Sequence, residues 1–134
     1  MSGIKRSPAD IAFSLAVREY ANHQCENCGK VDGQLECSHF YGRRHRGLRW
    51  EPLNCACLCH TCHMAFTEDP MAHVYWFSER SGEGVMDILR DKRNSIYKLA
   101  KGEEKDIARH YKKEIKLIQE QRENGEEPTI TSWY

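Results

Sequence analysis

Apolar residues recur along the first segment at Ile11, Phe13, Leu15, Val17 and Tyr20, directly behind Ser7-Pro8-Ala9-Asp10. Ser7 can cap, Pro8 suits a first helical turn and Asp10 stands at the capping-box position, so the pattern predicts a helix from residue 8 to about 22. Two short strands, 34–41 and 53–58, are predicted next, separated by a loop over 42–52. A further helix is expected from about Cys59 past Phe66, stopping before Pro70. The stretches "MAHVYWFSER" and "VMDILRDKRN" each predict a short helix, broken from one another by Ser81-Gly82 and Gly84. From Glu103 to about Asn124, Ile107, Tyr111, Ile115 and Ile118 make one stripe with charges elsewhere. That is an amphipathic helix packing on the body of the protein rather than a coiled-coil seam. The remainder, 125–134, is expected to be irregular.

A chain of 134 residues carries one domain with a modest core. Its parts read as an N-terminal helix (1–24), a cysteine-framed core (25–70), a helical extension (71–124) and a tail (125–134). No apolar run of 18 residues is present, so no membrane span is expected, and the first twenty residues lack the features of a signal peptide. These point to the cytoplasm, where cysteines hold metal more often than they form disulfides. An odd count of seven cysteines agrees.

Cys25-x-x-Cys28 and Cys59-x-x-Cys62 are two CxxC pairs with thirty residues between Cys28 and Cys59. Each pair can wrap an ion from a turn, and together they supply four thiolates to one structural zinc. The spacing is longer than in a minimal ribbon and leaves room for a hairpin with its own task. Cys37, Cys55 and Cys57 remain. They read as small buried hydrophobes, and they are the residues to suspect if a second zinc exists.

Inside the frame lie His39, Asn54 and His63, at steps of fifteen and nine residues. On a hairpin crossed by a helix, both histidines can face one cleft. A neutral imidazole near pH 7 can take a proton from water, which suits His39 to a general base. An imidazole on a helix can bind a cation, which suits His63 to a metal ligand. The amide of Asn54 both donates and accepts, so it can pin the loop that orients the base. The fold class that follows is α+β, a small ββα core stapled by four cysteines and flanked by helices.

This arrangement resembles the HNH, or ββα-metal, nucleases, in the variety stapled by paired CxxC motifs. The resemblance implies Mg²⁺- or Mn²⁺-dependent cleavage of phosphodiester bonds, with His39, Asn54 and His63 as the catalytic set. A closer likeness covers about residues 20–122. The stretch "CENCGK…GQLECSHFYGRR…LRWEPLN…CHTCH", followed by helices, is similar to the NinG/Rap recombination proteins of lambda-type phages. That likeness implies a structure-directed endonuclease on branched DNA such as Holliday junctions and D-loops, phage-encoded and working in a bacterial cytoplasm. A resolvase-like pair of cuts would further imply a homodimer. Many HNH nucleases place a cation ligand immediately before the general base, where this chain has Ser38. NinG-like sequences carry an acid two places earlier, here Glu36, which becomes the candidate second ligand beside His63. Strand alternation sends Glu36 and His39 to opposite faces unless a bulge intervenes. A third ligand found in some HNH nucleases corresponds to Thr67.

Net charge is zero, so any nucleic-acid contact must come from local asymmetry. Ser38 to Trp50 supplies it, with four arginines, two histidines and no acid. Tyr41, Arg43, Arg44, His45, Arg46 and Arg49 are the candidate DNA contacts, guanidinium groups taking phosphate oxygens. Trp50 suits either base stacking or the core. Two other functions fit less of the pattern: an HNH nicking or homing endonuclease on duplex DNA, and a non-catalytic zinc module that binds nucleic acid.

Overall fold

The computed structural model describes residues 4–134 and contains five α-helices and one two-stranded antiparallel sheet. Helix α1 is Pro8–Tyr20 and strand β1 is Leu35–His39. A 3₁₀ turn at Pro52–Asn54 leads into β2, Cys55–Cys59. Then follow α2 (His60–Glu68), α3 (Pro70–Ser81), α4 (Glu83–Arg93) and α5 (Glu103–Glu123).

Local chemistry sets most of these limits. Ser7 and Asp10 close the full capping box at the start of α1. The helix stops short of residue 22 because Asn22 and His23 take positive φ, 56° and 52°, turning the chain into the first CxxC pair. Both strands are shorter at the loop end than expected. Pro52 has no N–H to offer a ladder, and the Glu51 carboxylate caps Leu53 N at 3.2 Å, so the chain coils into a 3₁₀ turn there.

The register pairs His39 with Cys55, Cys37 with Cys57 and Leu35 with Cys59. Side chains alternate across the sheet, so Cys37, His39 and Cys55 share one face while Glu36, Ser38, Ala56 and Leu58 share the other. The first face meets α1 and α5 in a core built on Phe13, Trp50, Cys55, Ile107 and Tyr111. The second is covered by α2 to α4 through Leu48, Leu58, Phe77 and Leu89. The predicted stripe of α5 is the buried one: Ile107, Tyr111 and Ile118 are inaccessible, Ile115 is partly covered, and the helix packs chiefly along α1. The segment after α5 is irregular, as expected, but folds back onto the first core. Trp133 N donates to the Tyr111 hydroxyl at 3.1 Å and Trp50 N to the Tyr134 hydroxyl at 3.3 Å. Among the described residues no helix is long and apolar enough to cross a membrane.

Candidate functional site

The two CxxC pairs meet. The sulfur atoms of Cys25, Cys28, Cys59 and Cys62 all lie within 4.8 Å of one another, with Cys28 and Cys59 at 3.7 Å. A tetrahedral thiolate site with ~2.3 Å bonds has sulfur–sulfur edges of ~3.8 Å, so the four thiols could hold a structural metal. Each pair forms a turn in which the second cysteine's N–H points at the first one's sulfur, 3.5 Å in both cases. Gly29, at φ 81°, closes the first turn by donating to Cys25 O at 2.9 Å. Burial raises the Cys25 thiol, but the N–H donors of Cys28, Cys59 and Asn27 outweigh it and hold the pKa down at about 6. At Cys62 burial and the three neighbouring thiols win over the Asn27 amide and push the value up to about 12. A divalent cation would relieve that conflict by charging all four.

Asn54, buried at the end of the 3₁₀ turn just before β2, clamps the loop. It accepts from Tyr41 N at 3.0 Å and donates to Tyr41 O at 2.9 Å and Leu48 O at 3.3 Å. Truncation in Asn54→Ala leaves these buried backbone groups without partners and is expected to cost about 1–3 kcal/mol. Thermal denaturation of wild type and variant measures it. The clamp fixes the loop that ends in Arg49, whose carbonyl lies 2.9 Å from His39 Nε2. The carbonyl can only accept, so Nε2 carries the proton and Nδ1 keeps the lone pair. Burial pushes His39 down to about 4, against a small upward pull from that carbonyl, so the ring is neutral near pH 7.

His63 does not share a cleft with His39. His39 lies against Phe13 of α1, ring centroids 5.9 Å apart, while His63 on α2 serves the opposite face of the sheet. There its Nδ1 lies 2.8 Å from Glu36 Oε1, and His60 Nδ1 lies 3.2 Å from Glu36 Oε2. Strand alternation therefore holds, with no bulge to bring Glu36 beside His39. Burial raises Glu36, but the two imidazoles outweigh it and hold its carboxyl below the usual range. Ser38 is buried and Thr67 bonds back to His63 O at 2.9 Å, so neither extends this set.

Glu36 and His39 instead meet around the free edge of β1. A cleft of about 370 Å³ runs along it, lined by both residues together with Cys37, Arg6, Arg18 and Arg43. Arg6 and Arg18 come from before and within α1, and no motif or spacing marks them as facing the hairpin. Nor did spacing place His60 on Glu36, because a CxxC turn orients its middle residues only once the helix after it is fixed.

Of the basic loop, Arg44 and Arg46 are exposed, and His45 sits between Arg44 and Tyr41. Burial, Arg44 and Arg93 all lower the pKa of His45. The Tyr41 ring packs on Phe40 and under the Arg93 guanidinium, 5.5 Å away. Arg43 is half-buried, donating to Ile4 O at 2.9 Å with Asp10 at 3.6 Å. Arg49 is not a surface contact. It is 9% exposed and donates to both Asp10 oxygens at 2.9 and 2.5 Å. Trp50 is wholly buried beside it, its indole N–H on Asp10 Oδ1 at 3.1 Å, which places it in the core.

No family model, no curated protein and no solved structure matches this chain.

Proposed function

We propose that this chain is a zinc-stapled, metal-dependent endonuclease of the HNH kind, hydrolysing DNA phosphodiester bonds with branched recombination intermediates as its substrate class. One observation carries the reading. A single cleft is bordered by a neutral histidine fixed on a main-chain carbonyl, a carboxylate joined to a helix imidazole, and three arginines, against which stands one further carboxylate, Asp10, 3.6 Å from Arg43. A DNA phosphate entering it would find its oxygens facing Arg6, Arg18 and Arg43. His39, with its lone pair on Nδ1, is the group that accepts a proton from the attacking water. Asn54 acts at one remove, keeping Arg49 O where it holds the His39 tautomer.

Glu36 and His63 are the protein's donors for a hard cation. Their ligating atoms, 2.8 Å apart, suit adjacent positions of an octahedral ion with ~2.1 Å bonds, whose edge is ~3.0 Å. A divalent cation held there supplies charge stabilisation for the phosphate oxygens. Two protein donors leave most positions to water and phosphate, the usual habit of Mg²⁺, with Mn²⁺ as its substitute.

The test incubates zinc-loaded protein with a four-way junction and a matched linear duplex, with Mg²⁺ or Mn²⁺ added or withheld. Junction-selective, cation-dependent cutting is expected, reduced about 10²- to 10⁴-fold in a folded His39→Ala variant. Equal cutting of the linear duplex moves the substrate to ordinary DNA. No cutting by folded protein with either ion removes the enzymatic reading and leaves a zinc module that binds nucleic acid.

A further inference from the structure

Outside the four-cysteine clamp, Cys37, His39 and Cys55 bring two thiols and one imidazole nitrogen within 4.8 Å of one another. We propose that these three residues form a second metal site, for a thiophilic divalent cation of the zinc or cadmium kind, opening onto the β1 cleft. The hairpin register builds it: His39 stands directly across from Cys55, and Cys37 lies two residues back on the same face.

The donor set selects the ion. Two thiolates and one neutral imidazole cancel a charge of +2, so the loaded site is neutral where Cys55 is only 1% exposed. A monovalent soft ion would leave a buried negative charge, and a hard ion such as Mg²⁺ prefers oxygen donors. The hydrogen bond from His39 Nε2 to Arg49 O is the outer-sphere contact that metal-binding histidines ordinarily make through their second nitrogen. Cys37 and His39 both line the cleft, which gives the ion an entry path and a water position opposite the three protein donors. Three donors bind more weakly than the four of the clamp, so this site fills second. Cys57 provides an internal comparison. It shares the sheet face and is fully buried, yet stands outside the cluster.

The consequence for activity rests on the reading of His39 as the general base. An ion bound by the His39 lone pair removes the proton acceptor, so thiophilic metal inhibits cutting reversibly while the fold stays clamped.

The 134-residue chain carrying one zinc at the clamp, in a non-thiol reductant, is titrated with Cd²⁺. Total metal per chain and thiolate-to-metal charge-transfer absorption are followed. Two metals per chain are expected for wild type and Cys57→Ser, and only one for Cys37→Ser at the concentration that saturates wild type. His39→Ala should weaken the second equivalent at least tenfold. One metal per chain in wild type, or an undiminished second equivalent in Cys37→Ser, overturns the site. Should Cys55→Ala fail to fold, the half-buried Cys37 and His39 variants still decide. In the cutting assay, the second equivalent should inhibit wild type but not Cys37→Ser, each measured against its own rate without added Cd²⁺. Binding without inhibition overturns the regulatory role alone. Absence of cutting in every sample counts against the nuclease, and the stoichiometry then judges the site by itself.

Discussion

Replacing Cys28 or Cys59 with serine, or removing metal with a strong chelator, is expected to unfold the sheet and the helix after it rather than loosen one loop. The residues around the first CxxC pair form no regular element. They are tied to the rest by Glu26, whose N–H donates to Cys57 O at 2.8 Å and whose carboxylate accepts from Cys57 N at 2.6 Å and from Arg80 at 2.9 Å, and by the four sulfurs. Cys59 ends β2 and its sulfur also caps α2 by accepting from Cys62 N, so one atom serves strand, helix and clamp. The sheet itself has two strands of five residues, too little to stand alone. Structural zinc contributes about 10–16 kcal/mol in isolated fingers, as much as the whole stability of a typical domain, about 5–15 kcal/mol. α1 and α5, which pack on each other through Phe13, Ile107 and Tyr111, should retain part of their helicity. Far-UV circular dichroism and thermal melts, alongside metal analysis, measure this. A cooperative melt in chelator near that of the loaded protein would show that the clamp is not what holds the fold.

The clamp was legible because its signal is local: each CxxC pair is a turn, and two turns at this spacing suit one ion. The α5 stripe was legible for the same kind of reason, a period of 3.6 sustained over about three turns from Ile107 to Ile118. Asn54 was readable as a loop pin from its chemistry, and Tyr41 and Leu48 are the backbone partners it takes. What escaped were pairings between distant segments. Strand parity put Glu36 and His39 on opposite faces, but nothing in the spacing said that α1 would cover the His39 face and α2 the other. The basic loop read as one surface, although Arg49 finds Asp10 thirty-nine residues away and goes inside. Arg6 and Arg18 carry no pattern of their own and become cleft residues only when α1 docks beside β1.

The same distant pairing leads to the second large effect, at Asp10. This carboxylate is 5% exposed, yet it gathers Arg49, the Trp50 indole and the N–H and hydroxyl of Ser7, with Arg43 at the margin. Asp10→Ala would strand the Arg49 charge in the core and is expected to cost about 3–5 kcal/mol. Pairing it with Arg49→Met should recover much of that loss, because the cost arises from the charge left unpaired more than from the attraction removed. Burial raises Asp10, but Arg49 and the Ser7 N–H outweigh it and hold the carboxyl below its ordinary value. A depressed carboxyl contributes stability above its unfolded pKa, about 3.9, and loses it as the pH falls through the lower folded value. A metal held at the four cysteines would also be lost in acid, because protons compete for its ligands, so wild type alone cannot isolate the effect. The double variant keeps the clamp and lacks the pair, and the stability difference between the two proteins should shrink as the pH falls below 4. Denaturant melts across that range give the difference directly. A gap that stays constant with pH would mean that the Asp10–Arg49 pair contributes shape but no net charge pairing. A recovered fold with weakened cutting in the double variant would have a separate origin, the Arg49 main chain that carries the hydrogen bond of His39.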